Sequence, residues 1–141
     1  MQKESISFII LAAGKGSRMR SNTPKVLHSL AGEPIIFHIL RKILSLSNKI
    51  KLKKIIIVLG HESELVKKDI SSNFSGINFA IQDKQYGTAH AVLSAKDLLI
   101  NTRGKVIVLC GDTPLISIKL MLDLIKLSKN VDLGVSVFKT L

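Results

Sequence analysis

Short apolar runs recur along the chain, and each consists of consecutive β-branched and other apolar residues without polar alternation. Runs such as IIIVL and VIVLC are typical of strands that are buried on both faces of a sheet. The pattern predicts strands at Ser5–Leu11, Lys54–Leu59, Asn78–Ile81, Lys105–Cys110 and Val131–Phe138.

Segments of helical periodicity separate these runs. Pro34 suits the first position of a helix whose one face carries Ile36, Ile39 or Leu40, and Ile43. Thr88 could cap a second helix, which carries Ala91, Ala95 and Leu98-Leu99. Ser117 could cap a third helix, with Met121, Leu124 and Ile125 facing inward. Because strand and helix alternate throughout, we expect one α/β domain over residues 1–141. Its sheet should be Rossmann-like and mostly parallel, with right-handed crossovers and helices on both faces. The chain stops just after the fifth predicted strand, where such a sheet usually continues.

Composition narrows the class of partner. The chain has 141 residues, 46% hydrophobic and 22% charged, which is typical of a globular domain. A net charge of +11 suits nucleic acid, an anionic membrane or phosphorylated small molecules. One Tyr and no Trp leave few stacking platforms for nucleic acid, and no apolar run reaches the roughly 18 residues of a membrane helix. We therefore expect phosphorylated small molecules, with no nucleic acid and no membrane as partners.

Cys110 is the only cysteine of the chain. One cysteine allows no internal disulfide and no multi-cysteine metal site, which suits the reducing cytoplasm. Its place at the end of an apolar strand favours a core position over a nucleophile. The four histidines, His28, His38, His61 and His90, lack partners at ligand spacing, and we interpret each as a packing or surface residue.

The segment LAAGKGSRMRSNTPK, from Leu11 to Lys25, follows the first strand. Gly14 and Gly16 let backbone N–H groups approach an anion, while Lys15 and Arg18 supply opposite charge. Neither the dinucleotide fingerprint nor the Walker A spacing is present, so phosphate would be held in another way. The alternative is a tight turn with surface cations. We interpret the segment as a polyphosphate-binding loop.

Further chemistry follows later strands, whose carboxyl ends meet at the edge where α/β sheets bind ligands. Lys25 follows the stiff Pro24 and could stabilise charge growing at a phosphorus centre; a solvated lysine is the alternative. Asp112, after a buried strand and a glycine, suits Mg²⁺ together with substrate phosphates, or else caps the turn before Pro114.

A polar patch formed by Gln82 and Gly87-Thr88 follows the third strand. A glutamine amide offers a donor and an acceptor together, which matches the imide edge of uracil. The glycine would let a base lie close to the backbone. The alternative interpretation of these residues is an ordinary loop followed by a helix cap.

Four motifs, LAAGKGSRM, TPKVLHSLAGEPI, QYGTAHAV and GDTPLI, together resemble the nucleotidyltransferases that activate sugar phosphates. The first is shared with cytidylyltransferases and guanylyltransferases. The pattern from Gln82 to Ala91 and GDTPLI are narrower. They resemble the uridylyltransferase domain of the bifunctional N-acetylglucosamine-1-phosphate uridylyltransferase/glucosamine-1-phosphate acetyltransferases.

The resemblance implies the nucleotide-diphospho-sugar transferase type of fold and a role for each matching residue. UTP would contact Leu11, Ala12, Ala13, Gly14, Lys15, Gly16, Gln82, Gly87 and Thr88; Arg18 and Lys25 would be catalytic; Asp112 would hold Mg²⁺. A sugar 1-phosphate would attack the α-phosphorus of UTP and release pyrophosphate.

The chain ends before the sugar-binding segment of that family and before its acetyltransferase β-helix. We therefore expect a chain truncated relative to the family, carrying the UTP and Mg²⁺ half, with turnover and oligomeric state left open. The alternatives are a non-catalytic nucleotide-binding remnant and a nucleotidyltransferase that uses CTP or GTP.

Overall fold

The computed structural model describes residues 4–14, 16, 19–60 and 63–137. The strands are β1 Ser5–Leu11, β2 Ser29–Leu30, β3 Glu33–Pro34, β4 Lys51–Leu59, β5 Ile77–Ile81 and β6 Lys105–Cys110. The helices are α1 Ile35–Ser45, α2 Glu64–Asn73, α3 Thr88–Ser94, α4 Lys96–Leu99 and α5 Ile118–Leu127. Short 3-10 turns lie at Lys25–Leu27, Leu46–Asn48 and Ser128–Asn130.

A parallel sheet with the strand order β5-β4-β1-β6 forms the centre of the fold, and β2 and β3 form a small antiparallel pair. Leu11 pairs with Val58 on one side and with Cys110 on the other, so the carboxyl ends of three neighbouring strands lie level. The predicted α/β class and parallel sheet are confirmed.

The central strand β1 is buried on both faces. Ile6, Phe8 and Ile10 point into the main core, which α1, α2 and α5 cover, and Ile9 points into a smaller core under α3 and α4. Each fully buried isoleucine stabilises the fold by about 1.5–3 kcal/mol through removal of apolar surface from water. Burial on both faces explains the unbroken apolar run from Phe8 to Leu11.

The predicted helix starts differ from the structure by one residue at two places. Pro34 lies just before α1 instead of in its first position. Gly87, not Thr88, is the N-cap of α3, where its φ of 99° suits a residue without a Cβ. Ser117 caps α5 as predicted, with its hydroxyl oxygen accepting the Leu120 N–H.

The strand predicted at Val131–Phe138 is wrong over the residues that the structure describes, and Phe138 lies outside them. Residues 131–137 form no strand, and their apolar side chains, Val131, Leu133, Val135 and Val137, are each more than half exposed. An apolar stretch becomes a strand only where a neighbouring strand and a buried face receive it. Across the described ranges, no helix is long and apolar enough to cross a membrane.

Candidate functional site

The backbone that follows β1 is held between its two neighbouring strands at the carboxyl edge of the sheet. The Ala12 N–H donates to Val58 O, and the Gly111 N–H donates to Leu11 O, each at 2.8 Å. A Cβ at Gly111 would lie 2.9 Å from Leu11 O, closer than side chains normally approach backbone. Gly111 therefore lets the loop after β6 press directly against the end of β1.

The same backbone also meets the loops after β4 and β5. Gln85 donates from Nε2 to Ala13 O at 2.6 Å, and a Cβ at Gly60 would lie 3.1 Å from that carbonyl oxygen. Ala13 is buried and Gly14 is exposed. The structure thus brings the predicted contacts at residues 11–14 beside the loop that carries Gln82 and Gly87.

Gly16 lies against Lys25. Its φ is 60°, and a Cβ added there would be 3.0 Å from the Lys25 Cβ. The Gly16 carbonyl oxygen accepts the Met19 N–H at 2.8 Å, which closes a tight turn. Lys15 and Arg18 lie outside the described residues, so their phosphate contacts stay predictions.

Lys25 and Asp112 form an ion pair, with Lys25 Nζ 2.5 Å from Asp112 Oδ2. Lys25 opens the 3-10 turn after Pro24, and the neighbouring Val26 is buried in the main core, which anchors that turn. Both side chains are partly open to solvent, at 37% and 38% exposure. The structure therefore joins the predicted catalytic cation and the predicted metal ligand at one place.

The turn after β6 does not use the Asp112 carboxylate as its cap. The Thr113 hydroxyl donates to Cys110 O at 2.8 Å instead, and the Lys42 ammonium binds Pro114 O at 2.6 Å. Those contacts satisfy the turn, so the carboxylate points to Lys25 and solvent.

Cys110 is exposed and not the core residue we predicted, because β6 is an edge strand of the sheet.

Gln82 lies under the start of α3 and is only 4% exposed. Its Nε2 donates to Gly87 O at 3.1 Å and lies 3.1 Å from His90 Nδ1. A Cβ at Gly87 would meet no heavy atom within 4 Å, so the space beside this glycine is open. Thr88 is exposed at the first position of α3.

Sequence reasoning missed Gln85 and His90. A signal for His90 was present, because the third residue of a helix is where side chains reach back to the preceding loop, and α3 begins at Thr88. His28 and His38 each donate from Nε2 to a backbone carbonyl oxygen, at 3.2 and 2.7 Å, which fits their interpretation as structural residues; His61 lies outside the described residues. Within the described ranges, no group of three acidic, histidine or cysteine side chains could hold a metal ion alone.

A parallel sheet whose carboxyl edge carries a glycine-containing first loop, a paired cation and carboxylate, and a buried amide is an α/β fold with its polar groups where such sheets bind ligands. The chain belongs to the family described as "MobA-like NTP transferase domain", which matches residues 8–140. This match confirms the predicted nucleotidyltransferase class.

Curated relatives support the resemblance that the motifs indicated. The chain is 46% identical over 123 residues to the bifunctional protein GlmU of Wigglesworthia glossinidia brevipalpis, covering 86% of this chain and 26% of that protein. It is 45% identical over 118 residues to the bifunctional protein GlmU of Bacillus cytotoxicus, covering 84% and 24%. The chain thus spans about a quarter of the length of these relatives.

A solved structure confirms the fold. The crystal structure of Rv0371c from Mycobacterium tuberculosis H37Rv matches with a TM-score of 0.68 at 19% identity, over 91% of this chain and 62% of that one.

Proposed function

We propose that this chain carries the UTP-binding part of a uridylyltransferase acting on N-acetylglucosamine 1-phosphate, whose products are UDP-N-acetylglucosamine and pyrophosphate. The observation that carries the proposal is the meeting of Lys25, Asp112 and Gly16 at the carboxyl edge of the sheet, the edge at which the buried Gln82 also lies after β5. Identities of 45–46% to proteins named GlmU support the choice of reaction.

The reaction forms one P–O bond and breaks another. A phosphate oxygen of the sugar phosphate attacks the α-phosphorus of UTP, and the bonding electron pair to the β-phosphate leaves with pyrophosphate. Lys25 sits on an anchored turn, so its ammonium would need to move only from Asp112 to a phosphate oxygen to neutralise charge that grows on the α-phosphate. Lys15 and Arg18 would bind the triphosphate and the leaving pyrophosphate, and residues 11–14 would hold the nucleoside by their backbone.

Mg²⁺ fits this edge as a shared ligand of protein and substrate. Asp112 offers one half-exposed carboxylate, and Mg²⁺ in proteins is commonly bound by one or two carboxylates with the remaining positions taken by phosphates and water. Bound there, the ion would supply charge neutralisation on the phosphates. Lys25 would then exchange the Asp112 carboxylate for a phosphate oxygen, so the ion pair keeps both groups in place until substrate arrives.

Binding without turnover is the second candidate function. The chain spans about a quarter of the length of the curated relatives it matches. A non-catalytic nucleotide-binding module would keep the same Lys25–Asp112 pair. In either case a cytoplasmic location is part of the proposal, because a single cysteine suits a reducing compartment.

Pyrophosphate release tests the proposal. The purified chain is supplied with UTP, N-acetylglucosamine 1-phosphate and Mg²⁺, and the assay is repeated with Asp112→Asn and with CTP or GTP in place of UTP. Release that needs both substrates and disappears in Asp112→Asn supports the reaction. Binding of UTP without release supports the second candidate, and equal or better use of CTP or GTP contradicts the assignment of the base.

A further inference from the structure

The turn after β6, which carries Asp112, is bonded to the sheet on its upstream side. The Gly111 N–H donates to Leu11 O at 2.8 Å, so the residue before Asp112 is tied to β1. The Thr113 hydroxyl donates to Cys110 O, also at 2.8 Å, but this bond lies within the turn and joins it to no other element. The position of the downstream side therefore depends on other contacts.

The downstream side of this turn offers few groups by which it can be held. Pro114 has no N–H to donate, the Leu115 side chain is 86% exposed, and the chain returns to the main core only at Ile116. The Pro114 carbonyl oxygen, however, accepts a hydrogen bond from the Lys42 ammonium at 2.6 Å. A charged donor makes such a bond shorter and roughly twice as strong as a bond between neutral groups. Lys42 therefore holds this side of the turn through its backbone.

Helix α1 gives Lys42 a rigid base. Lys42 lies in the last turn of α1, next to Ile43, which is fully buried in the main core together with Ile39 and Leu46. The Lys42 side chain is itself half-buried, which reduces competition from water for its bond. Because α1 cannot shift without disturbing the core, the Pro114 carbonyl is tied to an element that stays in place.

The start of the same helix is bonded to the turn that carries Lys25. Ile35, the first residue of α1, donates its N–H to His28 O at 3.0 Å, and His28 is the C-cap of the 3-10 turn that begins at Lys25. Helix α1 is thus connected to both sides of the Lys25–Asp112 ion pair, through His28 at its start and through Lys42 near its end. These connections favour one separation between the two turns.

The ion pair cannot hold Asp112 once substrate is bound. In the proposed function Lys25 leaves the carboxylate for a phosphate oxygen, so the contact at 2.5 Å is lost when the carboxylate has to keep its place. The Lys42 bond uses a backbone carbonyl oxygen, which changes no partner in that step. We propose that Lys42 is a positioning residue, which holds the Asp112 carboxylate where it can share a Mg²⁺ ion with substrate phosphates. The inference rests on the proposed function.

The effect of Mg²⁺ on UTP affinity tests this role without any turnover. Calorimetry on the full chain gives the UTP dissociation constant without Mg²⁺ and with excess Mg²⁺, and the ratio of the two constants measures the metal effect. Lys42→Met removes the donor, and because Met has an unbranched side chain and is a good helix former, the variant should fold. We expect the ratio to fall by up to about 10-fold, the lower end for the loss of a group that orients a metal ligand, toward the value for Asp112→Asn. The UTP dissociation constant without Mg²⁺ should not change.

Two further variants separate positioning from charge. Lys54→Met is the matched control, because Lys54 is also half-buried and donates at 2.6 Å to a backbone carbonyl oxygen, that of Leu98, but joins β4 to α4. It removes the same charge as Lys42→Met and should leave the ratio unchanged. Lys42→Arg keeps a charged donor and should restore most of the ratio.

A double-mutant cycle tests whether Lys42 acts through Asp112. In the Asp112→Asn background, Lys42→Met should have no further effect on the ratio. An unchanged ratio in Lys42→Met alone, an equal fall in Lys54→Met, or a further fall in the Asp112→Asn background overturns this inference and leaves the proposed function standing. A folded chain that binds UTP neither with nor without Mg²⁺ overturns both.

Discussion

Replacing Asp112 with asparagine should abolish the metal dependence of nucleotide binding while leaving the fold almost untouched. The change keeps the size of the side chain and an oxygen that can accept from Lys25, but removes the charge. The pair is close, at 2.5 Å, yet its two side chains are 37% and 38% exposed. The short distance suggests a strong interaction, but exposure to solvent reduces its contribution to the free energy of unfolding.

The magnitude follows from solvent screening. Exposed ion pairs contribute about 0.2–1 kcal/mol to the free energy of unfolding. A loss of 1 kcal/mol lowers the melting temperature of a chain of this size by roughly 4 °C, so Asp112→Asn should melt within about 4 °C of the unmodified chain. A nucleotide at 100 times its dissociation constant adds about 2.7 kcal/mol. The ligand effect is therefore larger than the structural one, and the two can be separated.

Thermal melting with UTP, in the presence and absence of Mg²⁺, measures both quantities. Asp123→Asn is the matched control, because Asp123 also pairs with an exposed lysine, Lys119, at 2.6 Å but lies on α5. We expect Mg²⁺ to increase the UTP-dependent rise in melting temperature for the unmodified chain and for Asp123→Asn, and not for Asp112→Asn. An equal metal effect in all three, or a fall of 10 °C or so in the Asp112→Asn chain without ligand, would refute the reasoning.

Three further changes test other parts of the structure. Gly16→Ala should cost about 1–2 kcal/mol, because a φ of 60° strains a residue with a Cβ, and should weaken UTP binding by displacing Lys25; unchanged affinity in calorimetry contradicts this. Met121→Ala should lower the free energy of urea unfolding by about 2–5 kcal/mol, since Met121 is fully buried; a loss below about 1 kcal/mol would show that α5 packs loosely. The hydrogen bonds from Arg41 hold the pKa of Glu33 below its usual value. The contribution of Glu33 to the free energy of unfolding is therefore present above its unfolded-state pKa and is lost as the pH falls through its folded-state pKa. Glu33→Gln should remove this small loss of stability at acid pH when the free energy of unfolding is measured against pH.

Four of the predicted strands could be found from the sequence: burial on both faces favours the apolar runs of β1 and β4, and the edge strands β5 and β6 also have apolar runs although many of their side chains are partly exposed. The starts of β1 and β6 are those predicted, whereas β4 begins at Lys51 instead of Lys54 and β5 at Ile77 instead of Asn78. Lys51 and Lys53 of β4 are charged and exposed, yet they extend the strand because Ser5 of β1 pairs with Lys51. The stretch from Val131 shows the opposite case, since apolar residues there have no strand partner. Pairing partners, which local sequence does not specify, decide both outcomes.

The candidate site was predicted as a set of residue types but not as a set of contacts. Chemistry that follows parallel strands must converge at one edge, so Lys25, Gln82 and Asp112 could be chosen in advance. Their partners could not, because Lys25 and Asp112 are 87 positions apart. The contact of the Gln82 amide with the Gly87 carbonyl oxygen likewise could not be chosen from residue types alone.

Two glycines explain why the parts of this edge should respond together. Sequence analysis assigned Gly60 and Gly111 no contact of their own. In the structure each lets a neighbouring loop approach the backbone closely, at Ala13 for Gly60 and at Leu11 for Gly111. Gln85 bonds the same Ala13 carbonyl, so in the proposed function the base side and the phosphate side share one short backbone segment. A Cβ at Gly111 must displace the Leu11 carbonyl. Because Ala13 is only two residues further along the chain, its backbone should move as well. Packing therefore couples base recognition to phosphate position without any direct contact between Gln85 and the ion pair.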